Sequence, residues 1–547
     1  MNRHIEKYSK NEKLSELPDY FTGWRLFVLL LGLSVAIFLP NLEVSVVSTA
    51  LVTIADDLHG FNQTGWVVVA YLVTYTGFII IWAKLSDILT RKWTLLAAIF
   101  IFLIASGLCG ASQNITSLII FRALQGIGGA GCFSISMVVF FELIPKEKYP
   151  KYGSIVSADI ALAMLLGPIV GGAIADHTTW RWVFIINLPI GVVAVCSLGL
   201  LLPNNFPYHG SRRRPFTSET NVLKKIDFLG AFLLLAANIF LVTALMEAST
   251  QFTWSSPVII VFLVLSGLLW IAFVVWEWVI TADTWSLEPV FPFRFFQNRR
   301  WMGMLLQSFF LGVPFTMLVI NLPQRFQTVN SLPAFDAGLR LLPYALLAPV
   351  GSLVSNIIFA RYPKPMWILA AGAAFQLLGI SLLAGEPVGR DIPASLYGYE
   401  ILAGFGVGIT FGTLVTITPS SVEPRDLAAA TGAMIQFRQT GGAIGLSIAS
   451  SLLNGYLKGH LTPPLSTTQL DALLQNVETI STFSPALQEV AKNVFAAAFS
   501  LQLKVVVGFT AALIPSVLLM VKFEVPKLLC SECRREARQF RMIPDPI

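Results

Sequence analysis

The chain has 547 residues, of which 55% are hydrophobic and only 12% charged, with 37 Lys plus Arg against 31 Asp plus Glu for a formal net charge of +6. Soluble domains carry about 25% charged residues, so a water-soluble fold of this composition would expose large apolar patches; a disordered chain is excluded as well. Five cysteines are an odd number and do not read as a disulfide framework, and the CxxC at Cys530 and Cys533 reads as part of a solvated tail rather than a zinc site.

Fourteen apolar stretches of membrane-spanning length define an all-α polytopic membrane protein. They fall near 25–51, 65–83, 93–111, 118–141, 153–174, 183–202, 228–247, 257–280, 303–322, 341–360, 366–384, 398–418, 430–455 and 502–521. The first 20 residues are polar, so the first span acts as an uncleaved membrane signal. With a cytoplasmic N-terminus, 28 Lys and Arg fall in inner segments and 7 in outer ones, while Arg122 and Arg438 lie within spans. That split places both termini in the cytoplasm and makes the basic charge a consequence of topology, not of nucleic-acid binding.

A weak internal repeat joins two parts of the chain. Trp93-x-Leu95-x-Ala97 opens the third span as Trp367-x-Leu369-x-Ala371 opens the eleventh, and Gly126-x-Gly128 matches Gly404-x-Gly406. Repeated halves around a midplane site are a transporter architecture. The expected organisation is a tail 1–24, a six-helix bundle 25–202, a loop 203–227, two inserted helices 228–280, a loop 281–302, a second six-helix bundle 303–521 and a tail 522–547. Within the second bundle, the long outer segment 456–501 carries helical spacing at Leu470, Leu473, Leu474, Val477 and Ile480, and again at Leu487, Val490 and Val494. It is read as short amphipathic helices at the outer surface, or as a lid.

Polar groups inside the spans are the candidates for chemistry. Glu43 sits among apolar residues of the first span. A carboxyl there loses the hydration that favours its charge and exchanges a proton near neutral pH, or else sits neutral and hydrogen-bonded to a neighbouring helix. The link after the second span holds Asp87, Arg91 and Lys92; Asp87 pairs with Arg91 or accepts backbone N–H bonds, latching helices together, or the segment is simple positive-inside anchoring. Arg122 lies within the fourth span, where a charge costs several kcal/mol unless it meets a cavity or a partner. The glycines from Gly126 to Gly131 fit G-x-G-x-x-G, but no strand precedes them, so they serve close helix packing and not a dinucleotide. Gly167, Pro168, Gly171 and Gly172 make the fifth span a kink or a tight packing face. Gln125, Asp159, Gln307, Phe315, Glu400 and Arg438 are assigned to a substrate cavity, with local pairing as the alternative for Asp159, Glu400 and Arg438, and Glu277 is placed at the periphery. The sequons at Asn62 and Asn114 sit in very short outer loops and are expected to stay unmodified.

The run Leu85-Ser86-Asp87-x-x-x-Arg91-Lys92 resembles the loop motif of the major facilitator superfamily, G-x-L-[AS]-D-[RK]-x-G-R-[RK], with Ala83, Ile88 and Thr90 as departures. Arg122-x-x-Gln125-Gly126-x-Gly128 resembles its second motif, whose arginine is implicated in proton coupling. The segment from Ala163 through Gly167-Pro168 to Gly171-Gly172 is similar to the antiporter motif G-x-x-x-G-P-x-x-G-G, with Ala163 for the first glycine. Trp180-Arg181-Trp182-Val183-Phe184-Ile185-Ile186-Asn187-Leu188-Pro189 and the segment around Glu43 resemble the fourteen-span drug:proton antiporter branch, in which Asp is usual where Glu43 stands. The resemblance covers about residues 25–525. It implies the major facilitator fold, and a fungal toxin or multidrug efflux pump that is not an enzyme, needs no cofactor or metal and runs on a proton gradient. The implied partners are a small amphipathic substrate, protons and the lipid bilayer.

In that reading Glu43 and Arg122 couple protons, and Asp87, Arg91, Lys92, Gly167, Pro168, Gly171 and Gly172 govern the conformational switch. A proton crossing about 100 mV and about one pH unit releases about 3.7 kcal/mol, enough to hold a several-hundred-fold gradient of a neutral solute. The plasma membrane is the expected site, with a vacuolar or vesicle membrane as the alternative. Proton-coupled uptake, for example of siderophores, is the competing transport reading, against which Gly167-Pro168 argues. A non-transporting receptor is less favoured still, because it would need a longer cytoplasmic signalling segment.

Overall fold

A chain in lipid has no water to satisfy its backbone, so it must close its hydrogen bonds within each segment. The computed structural model describes residues 23–145, 149–204, 206, 227–248, 252–282, 287, 289–291, 293–386, 392–419, 421–422, 427–462, 464–475 and 477–520, and among them no β-strand forms. The helices are α1 (Gly23–Asp57), α2 (Thr64–Ile88), α3 (Arg91–Gly110), α4 (Ile115–Glu142), α5 (Tyr149–His177) and α6 (Trp182–Leu201). They continue as α7 (Phe228–Glu247), α8 (Pro257–Ala282), α9 (Arg299–Thr328), α10 (Ala334–Arg361) and α11 (Pro365–Gly385). The last three are α12 (Ala394–Ile417), α13 (Leu427–Leu461) and α14 (Pro485–Leu518). Cys530 and Cys533 lie outside the described residues.

Thirteen of these helices are long and apolar enough to cross a membrane. The exception is α13, which holds the expected thirteenth span. It is 35 residues long, but Gln436, Arg438, Gln439, Ser447, Ser451 and Asn454 are all buried along it. Its low hydropathy comes from facing other helices on most sides, and α9, α2, α7 and α14 all pack on it. At the other extreme, α8 buries only 17% of its most apolar window and presents the rest as a lipid-facing surface.

The packing follows two similar patterns. α1 lies along α5 and α6, while α2 and α3 flank α4; further on, α9 lies along α13, while α10 and α11 flank α12. The two groups meet where α5 packs on α10, α2 on α13 and α1 on α9. α7 and α8 pair with each other, and α7 reaches α2 and α13. Trp66 donates to the Glu247 carboxylate at 2.8 Å and Ser451 to the Ala248 carbonyl at 2.5 Å, which seats the end of α7 between those two helices.

The long segment after α13 folds into a helix over Thr467–Gln475 and a 3₁₀ turn over Val477–Thr482. Leu461, Leu473, Phe495 and Phe499 bury themselves there against Ala55 and Phe61, forming a small second core. Residues 487–494, expected as a separate surface helix, are instead the first turns of α14, which starts at Pro485. Their amphipathic spacing comes from the cap that covers one side of them. We call this end of the molecule the long-loop face and the opposite end the basic face.

Candidate functional site

Glu43 lies in the middle of α1 and is closed to solvent. Its Oε1 accepts from Arg122 Nη1 at 2.7 Å, and its Oε2 from Asn187 Nδ2 at 2.5 Å. Arg122 also donates through Nε to the Val67 carbonyl at 3.0 Å and through Nη1 to Gln125 Oε1 at 2.6 Å. Gln125 donates to Ser106 at 2.7 Å. The ring of Tyr71 lies 4.4 Å from the guanidinium carbon and that of Phe184 5.8 Å away. One buried ion pair thus joins α1, α2, α3, α4 and α6.

Two charges in a low-dielectric interior repay their lost hydration only if the geometry is good and further hydrogen bonds satisfy the remaining atoms. Here almost every atom is satisfied; Arg122 Nη2 and Asn187 Oδ1 are the orphans. The cluster brings together Glu43, Arg122 and Gln125, so Gln125 serves the ion pair rather than a cavity wall. Asn187, Ser106 and Tyr71 escaped the sequence reading. The Asn187 signal lay in the apolar run Val183-Phe184-Ile185-Ile186-Asn187-Leu188-Pro189, whose one amide side chain turns inward.

The glycines of α5 explain how this cluster reaches the second group of helices. A side chain at Gly167 would collide with Ser45, and one at Gly171 with the Val46 carbonyl, both within one helical turn of Glu43. On the far side of α5, Gly172 abuts the backbone of Phe335, and Gly338 abuts the Pro168 carbonyl. α5 is therefore clasped between α1 and α10 at backbone distance. Asp176, near the end of α5, accepts from the Ala334 and Phe335 N–H groups at 3.1 and 2.8 Å and so caps α10. Gln327 of α9 donates to the Thr49 carbonyl of α1 at 3.0 Å, a second tie on the long-loop face. Beside these ties lies a cavity of about 830 Å³ lined by Asp56, Asp57, His59, Asp176, Gln327 and Lys492, among others.

On the basic face, Arg91 forms a two-pronged pair with Glu142, at 3.1 and 2.7 Å, and donates to Ser86 at 2.7 Å. Glu142 was not singled out from sequence, because it lies 51 residues further on, at the end of α4. Asp87 falls in the last turn of α2; its side chain lies outside the described residues. The Lys92 ammonium sits 5.7 Å from the centre of the Trp93 ring.

The remaining cavity candidates scatter. Gln307 is fully buried against α14, donating to the Leu513 carbonyl at 2.6 Å and to Ser516 at 2.8 Å, so it ties two helices and does not face a cavity. A single polar residue on a span can face any neighbour, and its spacing does not say which. Asp159 of α5 is partly buried, and its Oδ2 has no hydrogen-bond partner. Phe315 and Arg438 do meet: the guanidinium carbon lies 5.1 Å from the Phe315 ring centre and 5.0 Å from that of Phe411.

Glu400 occupies a particular place. Gly126 faces the Tyr71 carbonyl and Gly128 the Phe102 backbone; Gly404 faces the Tyr344 carbonyl and Gly406 the Gln376 backbone. The two crossings match, and the offset of 278 that relates Gly126 to Gly404 relates Arg122 to Glu400. Glu400 is buried with neither carboxyl oxygen hydrogen-bonded, and Arg340, which donates to the Tyr397 hydroxyl, is the cation whose field reaches it.

Comparison with known proteins gives a consistent result. The Major Facilitator Superfamily profile matches residues 33–286 and 248–446. The MFS-type transporter FPY5 of Fusarium mangiferae is 42% identical over 525 residues, which is 95% of this chain and 88% of that protein. The efflux pump hmp6 of Hypomyces subiculosus is 31% identical over 80% of this chain and 76% of its own length. Among solved structures, a bacterial homologue of the human lysosomal transporter Spinster covers 92% of this chain and 99% of its own with a TM-score of 0.63 at 15% identity, a likeness of fold.

Proposed function

The chain belongs to the Major Facilitator Superfamily, and on that premise we propose that it exports small amphipathic molecules in exchange for protons. Relatives of 30% identity or more that are named as efflux pumps support the direction. The observation that carries the proton assignment is the Glu43–Arg122 pair at 2.7 Å, closed to solvent inside the bundle. In this reading α1–α6 and α9–α14 are the two bundles that rock against each other, and α7 and α8 sit outside them. The long-loop face is external, both termini are cytoplasmic and the plasma membrane is the site. No cofactor takes part; the proton gradient drives the cycle.

Protonation of Glu43 removes the charge that balances Arg122, and Arg122 is left with the Val67 carbonyl and Gln125. α1 then loses its strongest tie to α4. Ser45 and Val46, which bear the α5 glycines, lie on the same turn of α1 as Glu43. A shift of that turn moves the clasp of α5 on α10 and loosens the Asp176 cap on the long-loop face. A charge change in one bundle thereby becomes a change in how the bundles meet. The cavity lined by Asp56, Asp57 and Asp176, at about 830 Å³ roomy enough for water, is the side from which the proton enters in this reading.

The test is transport by the purified full-length chain in proteoliposomes under an imposed pH gradient, with wild type beside Glu43→Gln. Movement of an amphipathic compound opposite to the proton flow in wild type, lost in the variant, supports antiport. Movement with the proton flow would make the protein an uptake carrier. Transport indifferent to the gradient in both proteins overturns the proton role of Glu43.

A further inference from the structure

The two buried span arginines are treated differently by the fold. Arg122 is closed by a carboxylate. Arg438 is as deeply buried, yet among the described residues it has neither ion pair nor hydrogen bond, and its Nε is enclosed without an acceptor. Its neighbours are the faces of Phe315 and Phe411 at 5.1 and 5.0 Å. Ring faces offset only part of the cost of dehydrating a guanidinium. The backbone is fixed as well, because Gly312 of α9 abuts the Arg438 carbonyl, so the side chain cannot withdraw by shifting its helix.

Arg438 also lines a narrow space between the two bundles. Asn41, Val44, Ser45 and Leu72 close it from one side, and Phe315, Thr316 and Gln439 from the other. In the present conformation the space is about 20 Å³, room for one water. Because its walls belong to different bundles, it widens when they part.

We propose that Arg438 is the substrate-recognising cation, and that the transported molecule is an organic anion, a carboxylate or acidic enol on a flat conjugated body. The anion takes the open donors of Arg438 in a paired, charge-assisted contact, and the flat body lies against Phe315 and Phe411. A positive site with no protein counter-charge prefers such a ligand to a neutral or cationic one of the same shape. This inference rests on the reading of the inter-bundle space as the transport path.

The experiment uses the full-length chain in proteoliposomes with three matched probes: naphthoate, its methyl ester and naphthylmethylammonium. Binding and counterflow are measured for wild type, Arg438→Met and Arg438→Lys, each checked for a cooperative thermal unfolding transition. The expected result is a preference of about 10-fold or more for naphthoate over the ester in wild type, abolished by Arg438→Met and partly kept by Arg438→Lys. Phe315→Leu, which leaves the charge in place, weakens all three aromatic probes together. Equal handling of acid and ester by wild type overturns the anion assignment while leaving transport intact. An unchanged preference in Arg438→Met overturns the role of this residue. No binding or movement of any probe by folded wild type overturns both this inference and the transport path beneath it.

Discussion

Arg122 Nη1 stands 2.7 Å from Glu43 Oε1, joining two residues 79 positions apart in the chain, and neither is open to solvent. A lone charge at this depth is costly, and the pair is tolerated because each partner removes the other's penalty. The relationship is also exposed to chemistry: a single proton on Glu43 breaks it and leaves the cation.

The first expectation concerns stability. Arg122→Met or Glu43→Met alone leaves one uncompensated buried charge, a loss on the order of 3–5 kcal/mol. The double variant Glu43→Met/Arg122→Met removes both charges and recovers most of it. Thermal unfolding of the four proteins in detergent checks this: each single variant unfolds well below wild type, and the double above both singles. A double variant that unfolds at the summed cost of the two singles would show that the pair is not coupled.

Asn187 supplies the second. It donates at 2.5 Å to the carboxylate oxygen that Arg122 leaves free, and it stands at the start of the long part of α6. Asn187→Ala deprives a buried carboxylate of a partner, which costs about 1–3 kcal/mol. Gradient-driven transport in this variant is expected to fall by about 10-fold while Asn187→Gln, which carries the same amide on a longer stem, keeps part of it. Initial rates in proteoliposomes decide between these outcomes.

What the sequence displays and what it hides follow one physical line. Apolar runs are legible because each span must solve its own backbone problem, so twelve of the expected spans sit within helices of nearly the same bounds. Helix rotation is not a property of one segment. Gln307 could face a cavity or α14, and only the packing of α9 on α14 decides for α14. Arg122 announces itself as a charge in lipid, but Asn187, the second partner of Glu43, is a neutral amide 144 residues away from it. The Arg438–Phe315 contact was half legible, since both residues were assigned to the cavity, while Phe411 was not. The start of α14 was hidden because the cap over it gives the helix an amphipathic pattern like that of a surface segment.

On the basic face, the Arg91–Glu142 fork gives a third expectation. Both side chains are mostly buried, and the guanidinium meets both carboxylate oxygens. Arg91→Lys keeps the charge but not the fork, so it is expected to lose thermal stability relative to wild type, and Arg91→Ala more. The charge-reversed double variant Arg91→Glu/Glu142→Arg recovers part of what either reversal loses alone. Unfolding temperatures of the six proteins measure it, and a double variant no better than Arg91→Glu would mean that the pair does not tie α3 to α4.

The last expectation tests motion. Asp176 reaches from α5 to cap α10 at Ala334 and Phe335, and Gly172 brings the two backbones into contact there. If the bundles must part on this face in each cycle, a covalent bond across it stops transport without unfolding the protein. With the native cysteines replaced, among them exposed Cys196, the pair Asp176→Cys/Ala334→Cys places thiols where the Asp176 carboxylate now meets the Ala334 N–H at 3.1 Å. Oxidation is expected to lower turnover by about 10-fold or more, and a reducing agent to restore it. Asp176→Cys alone controls for loss of the cap, and Ala334→Cys alone, which keeps the backbone donor, controls for the added thiol. Turnover that persists in fully cross-linked protein would mean that the clasp of α5 on α10 stays closed throughout the cycle, and that the Glu43 signal leaves α1 by another route.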